Sequence, residues 1–585
     1  MLLFATMKRP ASIRANKWQV APPVPATTRQ ELAHLSPILL QVLYNRGIID
    51  PAHIQAFLDG RYLEKTDPFL LRDMDKAVTR IEQAIENDET IIVYGDFDAD
   101  GVTSTVLLIE ALRGLGIERD KAQPYIPDRV DEGYGLNIEA LSKLREEKGA
   151  SLVITVDCGI RSVAEVEHAN AIGLDMIITD HHSLGPKLPP ALAIINPKRP
   201  NSAYPETMLA GVGIAFKLAQ ALRQALPHRV TFSEEELLDL VAIGTVADLA
   251  PLLGENRKLV QEGLQVLNKA RRPGVAALAQ VSQVTMGQMT AESIGFGLGP
   301  RINAAGRLQH AYTAAKLLAA NNMITATNLA NELNALNRKR QQLTSDLSTK
   351  AEAMINSDAP ILITADPGFV SGVVGLVASR LAEKYYRPAI VIEQGEDESR
   401  GSCRSIPEFH ITEALDEVAD LLVRHGGHAQ AAGFTVCNDN LPLFIERITE
   451  IAAARLAETD LTPTLAVDAE IKQDEVDWAL FEMLAGLEPT GNANASPVFL
   501  SRGAEVVFHK RVGQDGAHLQ LKVSTGNGRA TTAYRIIPAI AFRQGDWADA
   551  LPQYIDLVYT IAVNEWRGQR NLQLMVQDIQ PTQFN

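Results

Sequence analysis

The stretch Asp96-Phe97-Asp98-Ala99-Asp100-Gly101 follows directly on the apolar run Ile91-Ile92-Val93-Tyr94. The apolar run predicts a buried strand, so three carboxylates fall within one turn at its carboxyl end. Carboxylates that lie this close repel one another unless a positive group holds them. A divalent cation is the natural partner, because hard cations bind oxygen ligands. The stretch therefore predicts a metal site at the end of a strand.

Polar residues also end two further predicted strands. Asp157 follows Ile154-Thr155-Val156, and Asp180-His181-His182 follows Ile177-Ile178-Thr179. Helical stretches lie between these runs, which is the pattern of a parallel α/β sheet. A single buried aspartate or histidine pair is usually structural. Because open α/β sheets bind ligands at the carboxyl ends of their strands, three such clusters predict one shared cleft.

The residue types in this cleft favour Mn²⁺ or Mg²⁺. Asp248 is a further acid among apolar residues, and we expect it to be paired or metal-bound, since an unpaired buried carboxylate is costly. Carboxylates with one imidazole fit Mn²⁺ or Mg²⁺, the histidine favouring Mn²⁺, whereas zinc would more often bring cysteine or several histidines. Two adjacent ions that share Asp157 would activate a water and stabilise both oxygens of an in-line displacement. The chemistry expected is metal-dependent hydrolysis of a phosphoester.

Other interpretations of these motifs are weaker. An EF-hand calcium loop needs a glutamate at its twelfth position, where this chain has Leu107, and a helix rather than a strand before the loop. A solvated acidic turn would be the default if the first motif stood alone. No phosphate loop with a lysine occurs, and Gly211-Val212-Gly213 lacks the third glycine of a dinucleotide fingerprint. No nucleophilic serine elbow is present.

Composition sets broad limits on the class of protein. The chain has 585 residues, so about three to five domains are expected. A net charge of -16 argues against broad non-specific binding to nucleic acid, but it leaves room for a local basic track. No apolar run is long enough to span a membrane. The three cysteines are far apart and odd in number, which predicts no disulfide framework and a cytoplasmic location.

The pattern of apolar residues predicts five segments. We expect an α/β fold in which a parallel-sheet domain is joined by a long helix to a smaller α/β domain, followed by a small β-barrel or sandwich. This last domain, called the barrel below, is predicted because apolar residues alternate with polar ones at 519–523 and 572–576. The boundaries are an N-terminal helical segment at 1–75, the parallel-sheet domain at 76–321, the connecting helix at 322–357, the smaller domain at 358–456 and the barrel at 463–585.

Four motifs occur in order along the chain: Val93–Ser104, Thr155–Gly159, Thr179–His182 and Gly244–Leu252. Together they resemble the motifs of the DHH phosphoesterase superfamily, and within it those of the RecJ single-strand DNA exonucleases. Further stretches are similar to RecJ outside the DHH domain: Pro300–Arg307, then Arg400–Ser405 and Gly426–Phe434 of a DHHA1 domain, and Ile561–Gly568 of an OB-fold. The resemblance covers nearly the whole chain.

The resemblance implies a role for particular residues. The implied metal ligands are Asp98, Asp100, Asp157, His181 and Asp248. The implied catalytic group is Asp96, Asp157, Asp180 and His182, in which Asp96 and Asp180 support the site and His182 contacts the substrate phosphate or acts as an acid. The implied contacts to DNA phosphates are Arg129, Arg301, Arg307, Arg404, Ser405 and His428.

The resemblance also implies an activity and partners. The expected reaction is 5′-to-3′ exonuclease digestion of single-stranded DNA to mononucleotides, with Mn²⁺ or Mg²⁺, in DNA repair and recombination. A helicase and a single-strand-binding protein are expected partners, and no membrane is expected. Candidate residues of the OB-fold are the aromatic groups Trp566, Tyr534 and Phe508 and the basic track Lys510, Arg511, Lys522, Arg535 and Arg567.

Two departures from the family pattern leave alternatives open. Phe369-Val370-Ser371 stands where such enzymes usually carry a Trp-His pair, and Leu487–Asn494 lacks the usual Pro-Phe-Gly. The first change puts one phosphate or strand-end contact in doubt, and the second is expected to alter packing. The competing hypotheses are a DHH hydrolase of short oligonucleotides or cyclic dinucleotides and a non-catalytic scaffold. The barrel argues against the former, and the intact set of acids argues against the latter.

Overall fold

A computed structural model describes residues 9–10, 13–128, 132–133, 135–524, 536–566 and 568–583, apart from the side chain of Trp566. The chain divides into two compact units. The smaller unit comprises Met1–Leu63, Thr462–Thr490 and Asn494–Asn585, and the larger comprises Glu64–Leu461 and Gly491–Ala493. None of the helices described has both the length and the apolar character needed to cross a membrane.

The N-terminal part of the smaller unit is not entirely helical, in contrast to the expectation for residues 1–75. A strand, β1 (Lys17–Val20), pairs in parallel with the distant strand Thr464–Val467. Three of its four residues are exposed, so the strand lacks the apolar pattern of a buried strand, and Trp18 alone packs against the apolar cluster of Val467, Leu500 and Val558. Three helices follow, namely α1 (Ala26–Glu31), α2 (Pro37–Asn45) and α3 (Pro51–Leu58).

A five-stranded parallel sheet forms the core of the larger unit. Four of its strands are buried on both faces, as expected for apolar runs covered by helices, and the edge strand at 122–125 is partly buried. The elements in chain order are α4 (Met74–Glu86), β2 (Thr90–Tyr94), α5 (Ala99–Arg113), β3 (Ala122–Tyr125), α6 (Ile138–Lys148), β4 (Ala150–Val156), α7 (Val163–Ala171), β5 (Asp175–Thr179) and β6 (Ala193–Ile195).

The order of strands in this sheet is β3-β2-β4-β5-β6, and every neighbouring pair is parallel. Tyr94 is in register with Thr155, and Val156 with Thr179. The residues that follow β2, β4 and β5 therefore lie side by side at one edge of the sheet. This is the edge at which the three acidic motifs were predicted to meet.

A set of helices covers the sheet and leads to the second half of the larger unit. These are α8 (Gly211–Ala225), α9 (Glu234–Ala247), α10 (Gly254–Leu267), α11 (Pro273–Val281), a π-helical turn at Ser293–Leu298, α12 (Gly299–Leu308) and α13 (Tyr312–Leu318). The long helix α14 (Met323–Met354) then occupies the segment predicted as a connecting helix.

A second five-stranded sheet follows α14, and it is mixed rather than parallel. Its order is β10-β11-β9-β8-β7, in which only β7 and β8 run in parallel. The elements are β7 (Leu362–Asp366), α15 (Ser371–Tyr385), β8 (Ala389–Gln394), β9 (Glu398–Arg404), α16 (Ile411–Asp416), β10 (Leu422–His428), β11 (Ala431–Cys437) and α17 (Leu441–Leu456).

The C-terminal part of the smaller unit forms a partly closed β-barrel. Strand β14 pairs with both β15 and β17, which curls the six-stranded sheet toward closure. The prediction of alternating strands near 519–523 and 572–576 is confirmed. The elements are β12 (Thr464–Val467), β13 (Ala469–Glu470), α18 (Trp478–Leu484), β14 (Phe499–Val512), β15 (His518–Ser524), β16 (Ile536–Ala541), β17 (Tyr554–Trp566) and β18 (Gln569–Pro581).

Candidate metal centre

The start of helix α5 fixes the orientation of the first acidic motif. Asp98 is the N-cap residue, and its Oδ1 atom accepts hydrogen bonds from the backbone N–H groups of Asp100 and Gly101 at 2.9 and 3.0 Å. The Oδ1 atom of Asn303, on α12, accepts a hydrogen bond from the Ala99 N–H at 2.7 Å. Side-chain oxygens satisfy N–H groups that a helix start leaves without partners, so the motif has a fixed orientation.

Asp100 is fixed by a second helix start. Its Oδ2 and Oδ1 atoms accept hydrogen bonds from the backbone N–H groups of Gly211 and Val212, the first residues of α8, at 2.7 and 2.8 Å. Burial, and then the negative charge of Asp98, raises the pKa of Asp100 to about 7, against the effect of the two N–H groups. The carboxylate is therefore oriented by the backbone but lacks sufficient positive charge around it.

Asp157 and His181 point at each other without bonding. Oδ1 of Asp157 lies 3.0 Å from Nε2 of His181, yet both atoms are buried and neither has a hydrogen-bond partner among the described residues. Asp157 has a φ of 62°, a left-handed conformation that aspartate tolerates better than most residues. Burial, followed by the charges of Asp100 and Asp98, raises the pKa of Asp157 well above its usual value.

The histidine at this point is neutral. Burial, and then the charge of His182, lowers the pKa of His181 to about 3. A neutral imidazole is the form that binds a metal. Its Nε2 lies 3.9 Å from Oδ2 of Asp100, and its Nδ1 lies 3.8 Å from Oδ2 of Asp248.

Asp248 completes the cluster from the end of α9. Burial, with the charges of Asp100 and Asp98, raises the pKa of Asp248 to about 9. Potential ligand atoms lie within 4.8 Å of one another in three overlapping groups: Asp96, Asp98 and Asp157; Asp100, His181 and Asp248; and Asp157, His181 and His182. Oxygen donors with one imidazole suit Mn²⁺ or Mg²⁺, and the orphaned buried atoms of Asp157 and His181 fit a shared cation.

His182 is placed differently from His181, because it is paired with an acid. Oδ1 of Asp180 accepts a hydrogen bond from the His182 backbone N–H at 2.9 Å and contacts its Nδ1 atom at 2.8 Å. Oδ2 of Asp180 accepts a hydrogen bond from the Ile160 N–H. Burial alone would lower the pKa of His182, but the hydrogen bond and charge of Asp180 outweigh it and raise that pKa. Asp180 therefore favours the protonated form of His182.

A cavity of about 430 Å³ adjoins the acidic cluster on the side of His182. It is lined by Asp180 and His182 from the first sheet and by Gly427 and His428 from the second. The predicted contact residue His428 therefore lines the same cavity as His182. A cavity of this volume has room for a phosphate with its sugar.

The other predicted contact residues have structural bonds of their own. Arg301 donates to Asn334 Oδ1 and to the Gly297 carbonyl, and Arg307 donates to the Gly372 carbonyl. Arg404 donates to Ser402 Oγ and the Cys403 carbonyl, and the Ser405 hydroxyl donates to the Phe409 carbonyl. These hydrogen bonds hold the side chains in place, and a bound ligand would compete with them for the same donor groups. They neither support nor contradict a contact with DNA. Arg129 lies outside the described residues.

In the barrel, one candidate platform is visible. The Phe508 side chain is 42% exposed, and the Lys522 ammonium lies 5.7 Å from the centre of its ring. Lys510 is exposed on the same strand, whereas Arg511 is paired with Asp546 and Asp549. Tyr534, Arg535, Arg567 and the side chain of Trp566 lie outside the described residues.

Three residues that sequence reasoning missed shape the cluster. A Cβ atom at Gly211 would lie 2.7 Å from Cβ of Asp157, and one at Gly244 would lie 2.9 Å from Oδ1 of Asp100. Only glycine leaves room for the acids at these two positions. Asn303 is the third, through its bond to Ala99. The glycine-rich start of α8 was the available signal, and it was considered only as a weak dinucleotide motif.

Comparison with known proteins places the chain in a family. Family models match residues 90–245 (DHH family, N-terminal domain), 358–454 (DHHA1 domain) and 467–578 (RecJ OB domain). The single-stranded-DNA-specific exonuclease RecJ of Bacillus subtilis is 37% identical, with 96% of this chain and 70% of that protein covered. RecJ of Escherichia coli is 35% identical, with 94% and 96% covered. The chain belongs to the RecJ family.

Solved RecJ structures agree with this assignment. RecJ of Thermus thermophilus in complex with Mn²⁺ superimposes with a TM-score of 0.82 and 31% identity, over 97% of this chain and 80% of that one. The Mg²⁺ complex gives a TM-score of 0.77. The predicted RecJ fold, with DHH, DHHA1 and OB-fold domains, is confirmed.

Proposed function

We propose that this chain is a metal-dependent exonuclease that degrades single-stranded DNA from 5′ to 3′ into mononucleotides, in DNA repair and recombination. The observation that carries the proposal is the convergence of Asp157 and His181, whose facing atoms lie 3.0 Å apart without a hydrogen bond. The RecJ relatives of Bacillus subtilis and Escherichia coli are named as single-stranded-DNA-specific exonucleases, and the solved structures of Thermus thermophilus RecJ are complexes with Mn²⁺ or Mg²⁺. Polarity and the mononucleotide product rest on the family resemblance.

The proposed mechanism assigns a task to each group in the cluster. Asp98, Asp100, Asp157, His181 and Asp248 would hold the cations. When bound, Mn²⁺ or Mg²⁺ supplies a Lewis acid that activates water and neutralises charge on the phosphate. His182, whose protonated form is favoured by Asp180, would contact the phosphate or donate a proton to the leaving oxygen. Asp96 would support this arrangement as a further acid.

The proposed substrate contacts come from both halves of the larger unit and from the barrel. Arg129, Arg301 and Arg307 would hold DNA phosphates from the first domain, and Arg404, Ser405 and His428 from the second, since guanidinium groups pair with phosphate in a bidentate manner.

The proposed domains are 76–321 for catalysis, 358–456 for the accessory domain and 463–585 for the OB-fold, with the segment 1–75 before them and a connecting helix at 322–357. The OB-fold would bind bases by stacking, with Phe508 as one platform.

The proposal extends to cellular context through the family resemblance alone. The enzyme would work in the cytoplasm, on strands supplied by a helicase, and in the presence of a single-strand-binding protein.

Product analysis tests the proposal. A single-stranded 40-mer, labelled at either end, is incubated with Mn²⁺ or Mg²⁺, and we expect mononucleotides to appear from the 5′ end. The Asp157→Ala variant should be inactive with both ions. Faster cleavage of a dinucleotide than of the 40-mer would instead support a hydrolase of short substrates. Unchanged activity of Asp157→Ala would show that the cluster is not the active site.

A further inference from the structure

The turn that follows strand β6 contacts both histidines of the acidic cluster. Strand β6 is the neighbour of β5 in the parallel sheet, so the residues after it lie beside Asp180-His181-His182. Asn196, the first residue of the turn, is 1% exposed, and its Nδ2 atom donates a hydrogen bond to the His182 carbonyl at 3.0 Å. The half-buried Lys198 donates from its ammonium to the His181 carbonyl. A strand end without an acid therefore also meets the cluster.

These contacts replace partners that the sheet no longer supplies. Backbone pairing with β6 ends where the Asp180 N–H donates to the Ile195 carbonyl at 3.1 Å. The carbonyls of the two histidines lie beyond this point, and carbonyls in the interior need another donor. Asn196 also accepts a hydrogen bond, because its Oδ1 atom takes the Lys198 N–H at 2.9 Å. The turn and the histidine pair are thus joined through three hydrogen bonds.

The shape of the turn is fixed independently of the histidines. The Arg199 N–H donates to the Asn196 carbonyl at 3.1 Å, which closes the turn. The Arg199 side chain is buried, and its Nη1 atom donates to Asp73 Oδ2 at 2.6 Å and to the Ile194 carbonyl at 2.5 Å. A buried guanidinium resists displacement from its acid, because separation would leave a charge unpaired. The turn can therefore hold the histidines in place rather than follow them.

The ammonium of Lys198 is also a positive charge beside the acids. Burial lowers the pKa of Lys198, and the charges of Asp180 and Asp248 act against that effect. Burial and the charges of Asp100 and Asp98 raise the pKa of Asp248, and Lys198 acts against them. Taken alone, this charge would oppose the binding of a cation, because like charges repel. The hydrogen bond and the charge of Lys198 therefore have opposite expected effects on metal affinity.

We propose that Asn196 and Lys198 are positioning residues of the metal centre, each acting on a different histidine. Lys198 holds the backbone of His181, so that the Nε2 atom stays aimed into the acidic cluster, and Asn196 holds the backbone of His182. The inference rests on the proposed function, because it takes His181 as a metal ligand and His182 as a group that meets the substrate. Loss of Lys198 should weaken metal binding, and loss of Asn196 should impair cleavage.

Metal binding in the absence of substrate tests the lysine. Metal-free Lys198→Met and Lys198→Arg are titrated with Mn²⁺ in a calorimeter. Lys198→Met loses the hydrogen bond and the charge, and we expect the dissociation constant for Mn²⁺ to rise by about 10-fold or more. Lys198→Arg keeps both and should recover most of the affinity. Unchanged or tighter binding by Lys198→Met would overturn the positioning role, and tighter binding would assign the lysine the opposing effect of its charge.

Lys187 provides the matched control for charge. It lies between β5 and β6 in the chain, is exposed, and is paired with Glu167 at 2.9 Å. Lys187→Met removes the same charge without removing a donor to either histidine carbonyl, so its Mn²⁺ affinity should match that of the wild type. A loss equal to that of Lys198→Met would show that the effect does not come from the bond to His181.

Cleavage at saturating Mn²⁺ tests the asparagine. In Asn196→Ala, single-turnover cleavage of the 40-mer should slow by about 10-fold or more, because a misplaced group loses much of its contribution to the chemical step. The loss in cleavage rate should exceed the loss in Mn²⁺ affinity, a difference that general destabilisation would not produce. Wild-type cleavage by Asn196→Ala would overturn its role.

Asn268 provides the control for a lost carboxamide. Its Nδ2 atom donates to the Met289 carbonyl at 2.9 Å, and its Oδ1 atom accepts the Met289 N–H at 2.7 Å. Asn268→Ala removes bonds of the same kind at the end of α10 and should keep wild-type cleavage and Mn²⁺ affinity. An equal loss of cleavage in Asn268→Ala would overturn the assignment of Asn196. A wild type that binds Mn²⁺ without cleaving DNA would contradict the proposed function, and the Mn²⁺ titrations would still decide the role of Lys198.

Discussion

The Nε2 atom of His181 and the Oδ1 atom of Asp157 are 3.0 Å apart, buried, and not joined by a hydrogen bond. Two buried polar atoms in this relationship are expected to share a third partner, because an unsatisfied buried group is costly. The pKa values of Asp157 itself and of two neighbouring acids, Asp100 and Asp248, are raised. A cation between the carboxylates would offset the burial and the mutual repulsion that raise these pKa values.

Replacing Asp157 tests its position between the ligand groups. Asp157→Asn keeps the shape of the side chain and removes its charge, so we expect the fold to persist and nuclease activity with Mn²⁺ to fall by more than about 100-fold. Steady-state cleavage of a single-stranded oligonucleotide checks this. Full activity at high Mn²⁺ concentration would show that Asp157 only strengthens metal binding.

The acids of the cluster should make the metal-free protein sensitive to pH. The pKa of Asp100 is raised to about 7 and that of Asp248 to about 9, so the folded state holds protons that the unfolded state releases near pH 4. Stability from these two groups is complete below pH 4 and is lost as the pH rises toward 9. In EDTA, the melting temperature should fall by roughly 4 °C or more between pH 5 and pH 8.

Two controls identify the source of that pH dependence. In EDTA, the melting temperature of the Asp248→Asn variant should depend less on pH than that of the wild type, because the amide does not titrate. With saturating Mn²⁺, the melting temperature should instead rise with pH, since metal binding requires deprotonated ligands. The same fall in melting temperature for Asp248→Asn as for the wild type would assign the effect to groups elsewhere.

The acidic motifs were predictable because a parallel sheet brings the ends of its strands together. Asp98, Asp157 and His181 follow β2, β4 and β5, so their meeting depends only on strand order. No comparable rule predicts the contacts that residues outside the sheet make with the acidic motifs. Asn303 reaches Ala99 from another helix, and Gly211 approaches Asp157 through packing, which local sequence patterns do not encode. The pairing of β1 with β12 was missed for the same reason.

Asn303 should affect metal affinity through the position of the first motif. Asn303→Ala removes the acceptor for the Ala99 N–H, and we expect a loss of about 1 kcal/mol in the free energy of unfolding. The Mn²⁺ concentration for half-maximal activity should rise by roughly 10-fold or more, with kcat largely recovered at high Mn²⁺. Asn303→Asp restores an acceptor and should recover much of the affinity. An unchanged Mn²⁺ requirement in Asn303→Ala would limit the residue to a structural role.

Gly211 and Gly213 offer a matched pair on helix α8. A Cβ atom at Gly211 would lie 2.8 Å from Oδ1 of Asp157, whereas one at Gly213 would meet only the Leu209 side chain at 3.5 Å, an ordinary contact. Gly211→Ala should therefore displace Asp157, cost about 1–3 kcal/mol of stability and reduce kcat by at least about 100-fold even at high Mn²⁺. Gly213→Ala should retain activity and gain stability from better helix propensity. Circular dichroism melts and cleavage rates on the two variants give the comparison. Equal activities would show that the close approach of α8 to Asp157 does not matter for catalysis.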